Sequence, residues 1–244
     1  YNSLQISARK QMTHNLMING YYVWSHSLWS ANSSAIGLAP TAQDYSQLGE
    51  ERGPSDNDRR NMVSVSGLWR LDYYRGSNSI VKQVLNGWAF SPIATFNSGA
   101  PFNITTGSDK NADTYNNDRP NLVPGTNAFL SAKRDRFTAS QAWFNTAAFI
   151  ANGAGVAGGI GPGGADGSTP RDYLRAPGYR DVDLGLSRDF SVERVKLTLR
   201  ADATNAFNMV SLNAPTATLS SGNNGKITGA ASPRLIQVGA RLSF

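Results

Sequence analysis

Four oxygen-bearing side chains recur at close spacing in the segment SDKNADTYNND, namely Asp109, Asn111, Asp113 and Asp118. Carboxylate and amide oxygens are the ligands that Ca²⁺ prefers, and alternate positions in a loop can wrap them around one ion. The segment departs from an EF-hand loop, because Thr114 stands where that loop has its glycine and no Glu follows at the twelfth position. A calcium loop is therefore one interpretation, and a solvated acidic loop is the other.

The rest of the sequence offers little catalytic chemistry. The chain has no Cys, which excludes a disulfide scaffold, thiol catalysis and a zinc–thiolate site. GxSxG, HExxH and Walker patterns are absent, and His14 and His26 have no partner motif that would make them metal ligands. We therefore expect no enzyme and no cofactor other than the calcium of the acidic loop.

Charge is sparse and scattered along the chain. Charged residues make up 16% of the sequence, against about 25% in an average soluble domain. The net charge of +6 would suit nucleic acid, but no basic run or aromatic nucleic-acid-binding motif accompanies it. We expect no nucleic-acid partner. The dense cluster EERGPSDNDRR, from Glu50 to Arg60, predicts charges that pair with one another at the base of a loop.

Apolar and polar residues alternate with a period of two, which predicts seven β-strands. The predicted strands lie near residues 2–11, 14–27, 61–74, 87–105, 181–190, 194–207 and 233–244. Short connections alternate with long ones that are rich in Gly, Asn, Ser, Asp and Pro. The long connections are predicted at residues 28–59, 108–180 and 209–232.

This alternation fits two classes of protein, a soluble sandwich and a membrane β-barrel with its apolar face toward lipid. Aromatic side chains near the strand ends of the apolar faces favour the barrel, because interfacial girdles lie there. These are Tyr22, Trp24, Trp69, Tyr73 and Trp88. The asymmetry of short turns and long outer loops is also typical of outer-membrane barrels. We predict an all-β, antiparallel, up-and-down transmembrane barrel, surrounded by the lipid of a Gram-negative-type outer membrane.

The polar faces of the predicted strands carry charged residues that would face the lumen. They are Arg9, Arg70, Asp72, Asp183, Lys196, Arg200, Asp202 and Arg241. In a barrel, such residues form cross-strand pairs or contact a plug, and they tune the lumen.

The last strand carries Gln237, Gly239, Leu242 and Phe244 in the order polar, Gly, hydrophobic, aromatic. This pattern resembles the β-signal by which outer-membrane proteins are recognised. The resemblance implies that the barrel assembly machinery is a partner of the chain.

The chain also resembles the C-terminal barrel portion of TonB-dependent outer-membrane transporters of the Oar-like type. The resemblance rests on the stretches YNSLQISARK, YYVWSHS, SDNDRRNMVSVSGLW, LNGWAFSPIATFNSGAPFNITTG, NDRPN, FNTAAF, RAPGYRDVDLGLSRDF, LRADATNAFN and PRLIQVGARLSF. It implies a 22-stranded barrel with an N-terminal plug, energised through TonB, that passes a large or scarce solute. Neither a plug nor a TonB box is visible in this sequence, so TonB would act through a plug outside it.

Seven strands cannot close a bacterial barrel with an even strand number and both ends in the periplasm. We therefore expect residues 1–244 to be the C-terminal portion of a longer barrel. Two alternatives remain, a surface-exposed structural or adhesive β protein and a soluble carbohydrate-binding β-sandwich. The sandwich requires aromatic rings on the polar faces of the strands, where they could stack on sugars.

Overall fold

The computed structural model describes residues 1–30, 42–44, 47–114, 116, 118–131, 133–153, 156–160, 164–192 and 195–244. Its largest element is a seven-stranded antiparallel sheet whose neighbours in space are neighbours in sequence. The strands are β1 (Asn2–Thr13), β2 (Leu16–His26), β3 (Asn61–Leu71), β4 (Trp88–Asn97), β5 (Tyr179–Val192), β6 (Val195–Thr204) and β7 (Leu235–Ser243).

Each strand lies within or overlaps one of the seven alternating segments of the sequence, with differences at the ends. Strand β3 ends at Leu71, so Asp72 and Tyr73 follow it rather than belong to it. Strand β4 ends at Asn97, and Pro101–Phe102 pairs with a different partner. The described residues form an open sheet with β1 and β7 at its edges. The all-β, antiparallel architecture is as predicted, and closure with further strands into a 22-stranded barrel stays a prediction.

The register of the sheet places most large apolar side chains of the strands on one side. Leu4 lies opposite Trp24, and Leu197 lies opposite Leu242. Directly opposed residues share a face, and successive residues of a strand point to opposite faces. The side that carries these residues is named the apolar face, and the other side the polar face.

The β1–β2 hairpin combines a tight turn with a β-bulge between Lys10 and Thr13, which shifts the register by one residue relative to the turn. Its turn consists of His14 and Asn15, which both have positive φ, at 50° and 62°. Two consecutive positive φ values define a type I′ turn, whose twist matches that of the flanking strands. Asn tolerates this conformation because its short side chain can bond locally, so the short turn aligns Thr13 with Leu16.

The connections contain further regular structure. Three short strand pairs join Leu28–Trp29 with Gly53–Pro54, Pro101–Phe102 with Leu174–Arg175, and Asn121–Leu122 with Phe149–Ile150. Helix α1 (Ser79–Leu85) lies between β3 and β4, and helix α2 (Arg136–Gln141) lies in the long connection between β4 and β5. The side chains of Asn78 and Asp135 cap these helices. Among the described residues, no helix could span a membrane.

The hydrophobic core lies in the connections and not beside the sheet. Its buried members are Ile104, Ala128, Phe144, Ala148, Phe149 and Leu174. The rings of Phe144 and Phe149 meet edge to face, with centroids 5.7 Å apart. Every residue of β1 and β7 is exposed. The packed interior of the described chain is therefore built by its loops.

Candidate functional site

Large aliphatic side chains of the apolar face are exposed to the surroundings. Leu4 is 54% exposed, Val65 41% and Leu242 60%. A soluble sandwich would cover such a face with a second sheet about 10 Å away. The described residues contain no second large sheet. The apolar face is therefore shaped for an apolar environment outside the chain.

Aromatic rings lie at both ends of the apolar face. Tyr22 and Trp24 lie at the end that carries the long connections, named the loop rim. Trp69, Tyr73 and Trp88 lie at the opposite end, named the turn rim. The separation by one strand length matches the spacing of two interfacial girdles.

The polar atoms of four of these rings, those of Tyr22, Trp69, Tyr73 and Trp88, have hydrogen-bond partners. Trp69 Nε1 donates to Tyr73 Oη at 2.8 Å, and Trp88 Nε1 donates to Val84 O at 3.0 Å. Tyr22 Oη donates to Asn61 Oδ1 at 2.7 Å. Rings with an apolar body and a satisfied polar atom suit a boundary between water and lipid.

Arg188 was missed by the sequence analysis, because it interrupts the alternation of β5. It lies on the apolar face at the turn rim, where its guanidinium carbon is 4.2 Å from the Phe190 ring centroid and 5.3 Å from that of Trp88. Its Nη1 donates to Val84 O at 2.7 Å. The charge is therefore held by two rings and a helix carbonyl. The available signal was a charged residue at a position of β5 where the alternation predicts an apolar one.

The predicted lumen-facing residues within the strands all lie on the polar face. Lys196 Nζ pairs with Asp189 at 2.9 Å, and Arg200 Nε pairs with Asp202 at 2.6 Å. Arg241 lies opposite Thr198. The face thus carries charges of both signs.

The remaining members of that set lie along the same face or at its ends. Arg9 lies opposite Asn19, and Arg70 lies opposite Ala89. Asp183 Oδ1 accepts from Asn205 N at 3.0 Å, and Asp72, just after β3, accepts from Gly87 N at 2.7 Å. These two carboxylates fix connections at opposite rims. That the polar face lines a lumen stays a prediction.

The long connections pack together at the loop rim. The described parts of 42–60, 98–178 and 205–234 are named the loop assembly. Backbone bonds join its parts, such as Thr105 N to Ala217 O at 2.9 Å and Trp143 N to Gly225 O at 2.7 Å. Gln43 Nε2 donates to the carbonyl of Gly167 at 3.0 Å. A Cβ at Gly167 would lie 1.7 Å from Arg119 O, so only glycine permits this approach.

Buried charges connect the parts of the loop assembly. Arg119 Nη1 lies 2.7 Å from Glu51 Oε1, and Arg171 Nη1 lies 3.8 Å from Glu51 Oε2. All three side chains are at most 2% exposed. The prediction that the EERGPSDNDRR cluster pairs within itself is therefore wrong for Glu51. Its partners are distant in sequence, and only the fold brings them close.

Asp58 is a second residue of the EERGPSDNDRR cluster whose carboxylate pairs with arginines. Its carboxylate contacts Arg175 and lies 3.3 Å from Arg60 Nε. Burial alone would raise the pKa of Asp58, but bonds from Arg175 and from Ser27 N lower it below its usual value. Only the Arg60 contact is internal to the cluster, so the prediction holds for that pair alone.

Asp172 has an unusual environment within the loop assembly. Burial and the neighbouring Asp56 carboxyl raise the pKa of Asp172 to about 7, against the opposing effect of Arg171. The Arg171 Nε to Asp172 Oδ2 distance is 3.5 Å. The carboxyl of Asp172 therefore titrates near neutral pH.

The predicted calcium ligands come together in part. Asp109, Asp113 and Asp118 each place a carboxylate oxygen within 4.8 Å of the others. The amide of Asn111 has other partners. Its Nδ2 donates to Gln43 O at 2.7 Å and to Asp166 Oδ1 at 3.0 Å, and its Oδ1 accepts from Asp113 N at 3.2 Å.

The most buried of these carboxyls is Asp118, which is fully buried. Burial raises the pKa of Asp118, and the neighbouring Asp113 and Asp109 raise it further, whereas hydrogen bonds from Lys110 N and Asn111 N lower it. The three carboxylates have the chemistry of a Ca²⁺ site. Calcium binding there stays a prediction.

The residues of the predicted assembly signal lie on an edge strand. Gln237 lies opposite Asp202, Gly239 opposite Arg200 and Leu242 opposite Leu197. Phe244 follows β7 and is 99% exposed. Recognition by the barrel assembly machinery stays a prediction.

Comparison with known proteins agrees with this geometry. A family model described as an outer membrane beta barrel domain matches residues 1–237. No curated protein and no solved structure matches the chain. The matched range includes the whole loop assembly, the aromatic rings of both rims and the apolar face apart from the end of β7. The chain belongs to the outer membrane beta barrel domain family, and the cell outer membrane is its location.

Proposed function

We propose that the chain is the C-terminal barrel portion of a TonB-dependent transporter of the Oar-like type, and that it carries a large or scarce solute without chemical change. The observation that carries the proposal is the loop assembly, in which all three long connections fold against one another at one rim. A general pore needs only open loops, whereas capture of a scarce solute needs a preformed surface.

The polar face supports the same proposal. Its ion pairs, such as Lys196 with Asp189, give it charges of both signs. A surface of mixed charge suits contact with a plug or passage of a polar solute, because neither sign of charge dominates. The stretches that resemble Oar-like transporters lie in both the sheet and the loop assembly.

Contact with TonB is the most specific test. The full-length parent protein is expressed in its native outer membrane, and cross-linking to TonB is measured with and without the proton-motive force. The proposal expects a TonB adduct that depends on the energised state. Absence of the adduct from a parent protein that folds and reaches the membrane would refute it.

A conductance measurement separates the proposal from a passive pore. The purified full-length protein is placed in a planar bilayer. We expect a closed barrel without steady conductance, because a plug fills the lumen of large transporters. A constantly open channel would contradict transport energised by TonB.

One other function fits the loop assembly. A structural or adhesive protein would use it as a contact surface for polymers or neighbouring subunits, with no dependence on TonB. Cell-surface adhesion that survives deletion of the TonB gene would favour that alternative. The soluble sandwich is wrong, because the family is that of an outer-membrane barrel and the apolar face is exposed.

A further inference from the structure

A cavity of about 600 Å³ lies where the apolar face meets the loop assembly. Three arginines line it, Arg134, Arg136 and Arg180. Its apolar lining includes Val63, Phe96, Val210 and Leu212. A basic cavity with apolar walls is unusual on a surface that faces lipid, because an unpaired charge there is costly.

The register of the strands indicates how deep this cavity lies in the membrane. Tyr22 lies opposite Val63, Val63 opposite Phe96, and Phe96 opposite Arg180. Opposed residues share a face and a level. Arg180 is therefore on the apolar face, in the same row as an interfacial tyrosine at the loop rim. That row corresponds to the boundary between hydrocarbon and head groups on the outer side of the membrane.

The three guanidinium groups are not neutralised by described carboxylates. Arg136 and Arg180 make no ion pair in the described part of the chain, and Arg134 donates to the backbone oxygens of Ser131, Ala142 and Trp143. No described Asp or Glu lines the cavity. The site therefore presents excess positive charge.

The two nearest carboxylates along the chain have other partners. Asp135 accepts from Thr138 N at 3.0 Å and caps helix α2. Asp181 accepts from Tyr179 Oη at 2.9 Å, and it lies on the polar face, opposite Thr95. Neither is among the residues that line the cavity.

We propose that this cavity binds the phosphate group of a glycolipid of the outer leaflet, with an acyl chain against Val63 and Phe96. Guanidinium groups bind phosphate through paired N–H donors, and basic pockets at membrane depth bind lipid head groups. The apolar lining selects a lipid-borne phosphate over the free ion, because only the lipid covers Val63 and Phe96. The cavity is named the lipid-phosphate site.

The test uses the full-length protein in detergent, stripped of native lipid, and diphosphorylated lipid A as the probe. Binding is measured by native mass spectrometry and by titration. Arg136→Ala/Arg180→Ala is expected to weaken binding at least tenfold. The matched control is Lys10→Ala/Lys226→Ala, which removes two cations outside the cavity and is expected to bind as the wild type does.

Three results would overturn the proposal. They are equal affinity of the arginine variant and the wild type, equal affinity for dephosphorylated lipid A, and binding of inorganic phosphate as tight as that of the lipid. Retention of a heat-modifiable band shows that each variant is folded. If the double variant lacks that band, Arg136→Gln serves instead, since Arg136 is an exposed residue of α2 and its loss leaves the sheet intact.

Discussion

In the sheet, Val65 and Leu242 of the apolar face are 41% and 60% exposed, whereas in the loop assembly Glu51, Arg119 and Arg171 are each 1% exposed. One region exposes the residues that water disfavours, and the other buries the residues that lipid disfavours most. The two regions are therefore built for different surroundings. The sheet gains its stability from contact with lipid, and the loop assembly gains its own from internal packing and paired charges.

The largest expected effect comes from breaking the buried charge network. Glu51→Ala removes the ion-pair partner of Arg119 and one of the three carboxylates near Arg171. Loss of one partner of a buried ion pair costs about 3–5 kcal/mol. We expect the long connections to become sensitive to protease while the heat-modifiable band persists. The control is Asp135→Asn, an exposed site whose amide can still cap α2. Equal protease resistance of Glu51→Ala and the control would contradict the account.

A charge on the apolar face is expected to have the next largest effect. Val65→Arg places a cation at the centre of β3 toward lipid, which costs about 2–4 kcal/mol near the bilayer midplane. Ser66→Arg changes the next residue, on the polar face, and is expected to cost less than about 1 kcal/mol. The measurement is the folding equilibrium in lipid vesicles titrated with denaturant. Equal costs at the two positions would contradict the assignment of the faces.

The raised pKa of Asp172 predicts that the stability of the loop assembly depends on pH. Its native pKa of about 7 lies above the unfolded value, so the native state binds the proton more tightly and stability is lost as pH rises toward 7. Between pH 5 and pH 8 the loss is on the order of 2 kcal/mol. Asp172→Asn is expected to remove this dependence in loop proteolysis assays. An unchanged pH profile in the variant would contradict it.

The calcium prediction carries the smallest expected effect. At about ten times its dissociation constant, we expect Ca²⁺ to stabilise the folded loops by about 1.4 kcal/mol, because it would bind the native state. Chelation is expected to reverse this gain in the wild type and to have no effect on Asp109→Asn/Asp118→Asn. A melting temperature that is identical with Ca²⁺ and with chelator would refute the prediction.

Sequence alone predicts the sheet better than the loops. The alternation of apolar and polar residues holds throughout β6 and from Ile236 onward in β7, because each strand needs one lipid-compatible face. The partners of Glu51 could not be predicted, since Arg119 and Arg171 are 68 and 120 residues away in the chain. Ligand spacing predicted that Asp109 and Asp113 would lie close together, but not that Asn111 would turn toward Asp166.

The central claim, that the apolar face contacts membrane lipid, is tested most directly by spin labels at Val65→Cys and Ser66→Cys. The chain has no native Cys, so each label occupies a single position. In vesicles, we predict that the label at 65 collides with oxygen and is protected from a water-soluble nickel reagent, and that the label at 66 shows the reverse. Equal access of the nickel reagent to both positions would contradict the claim.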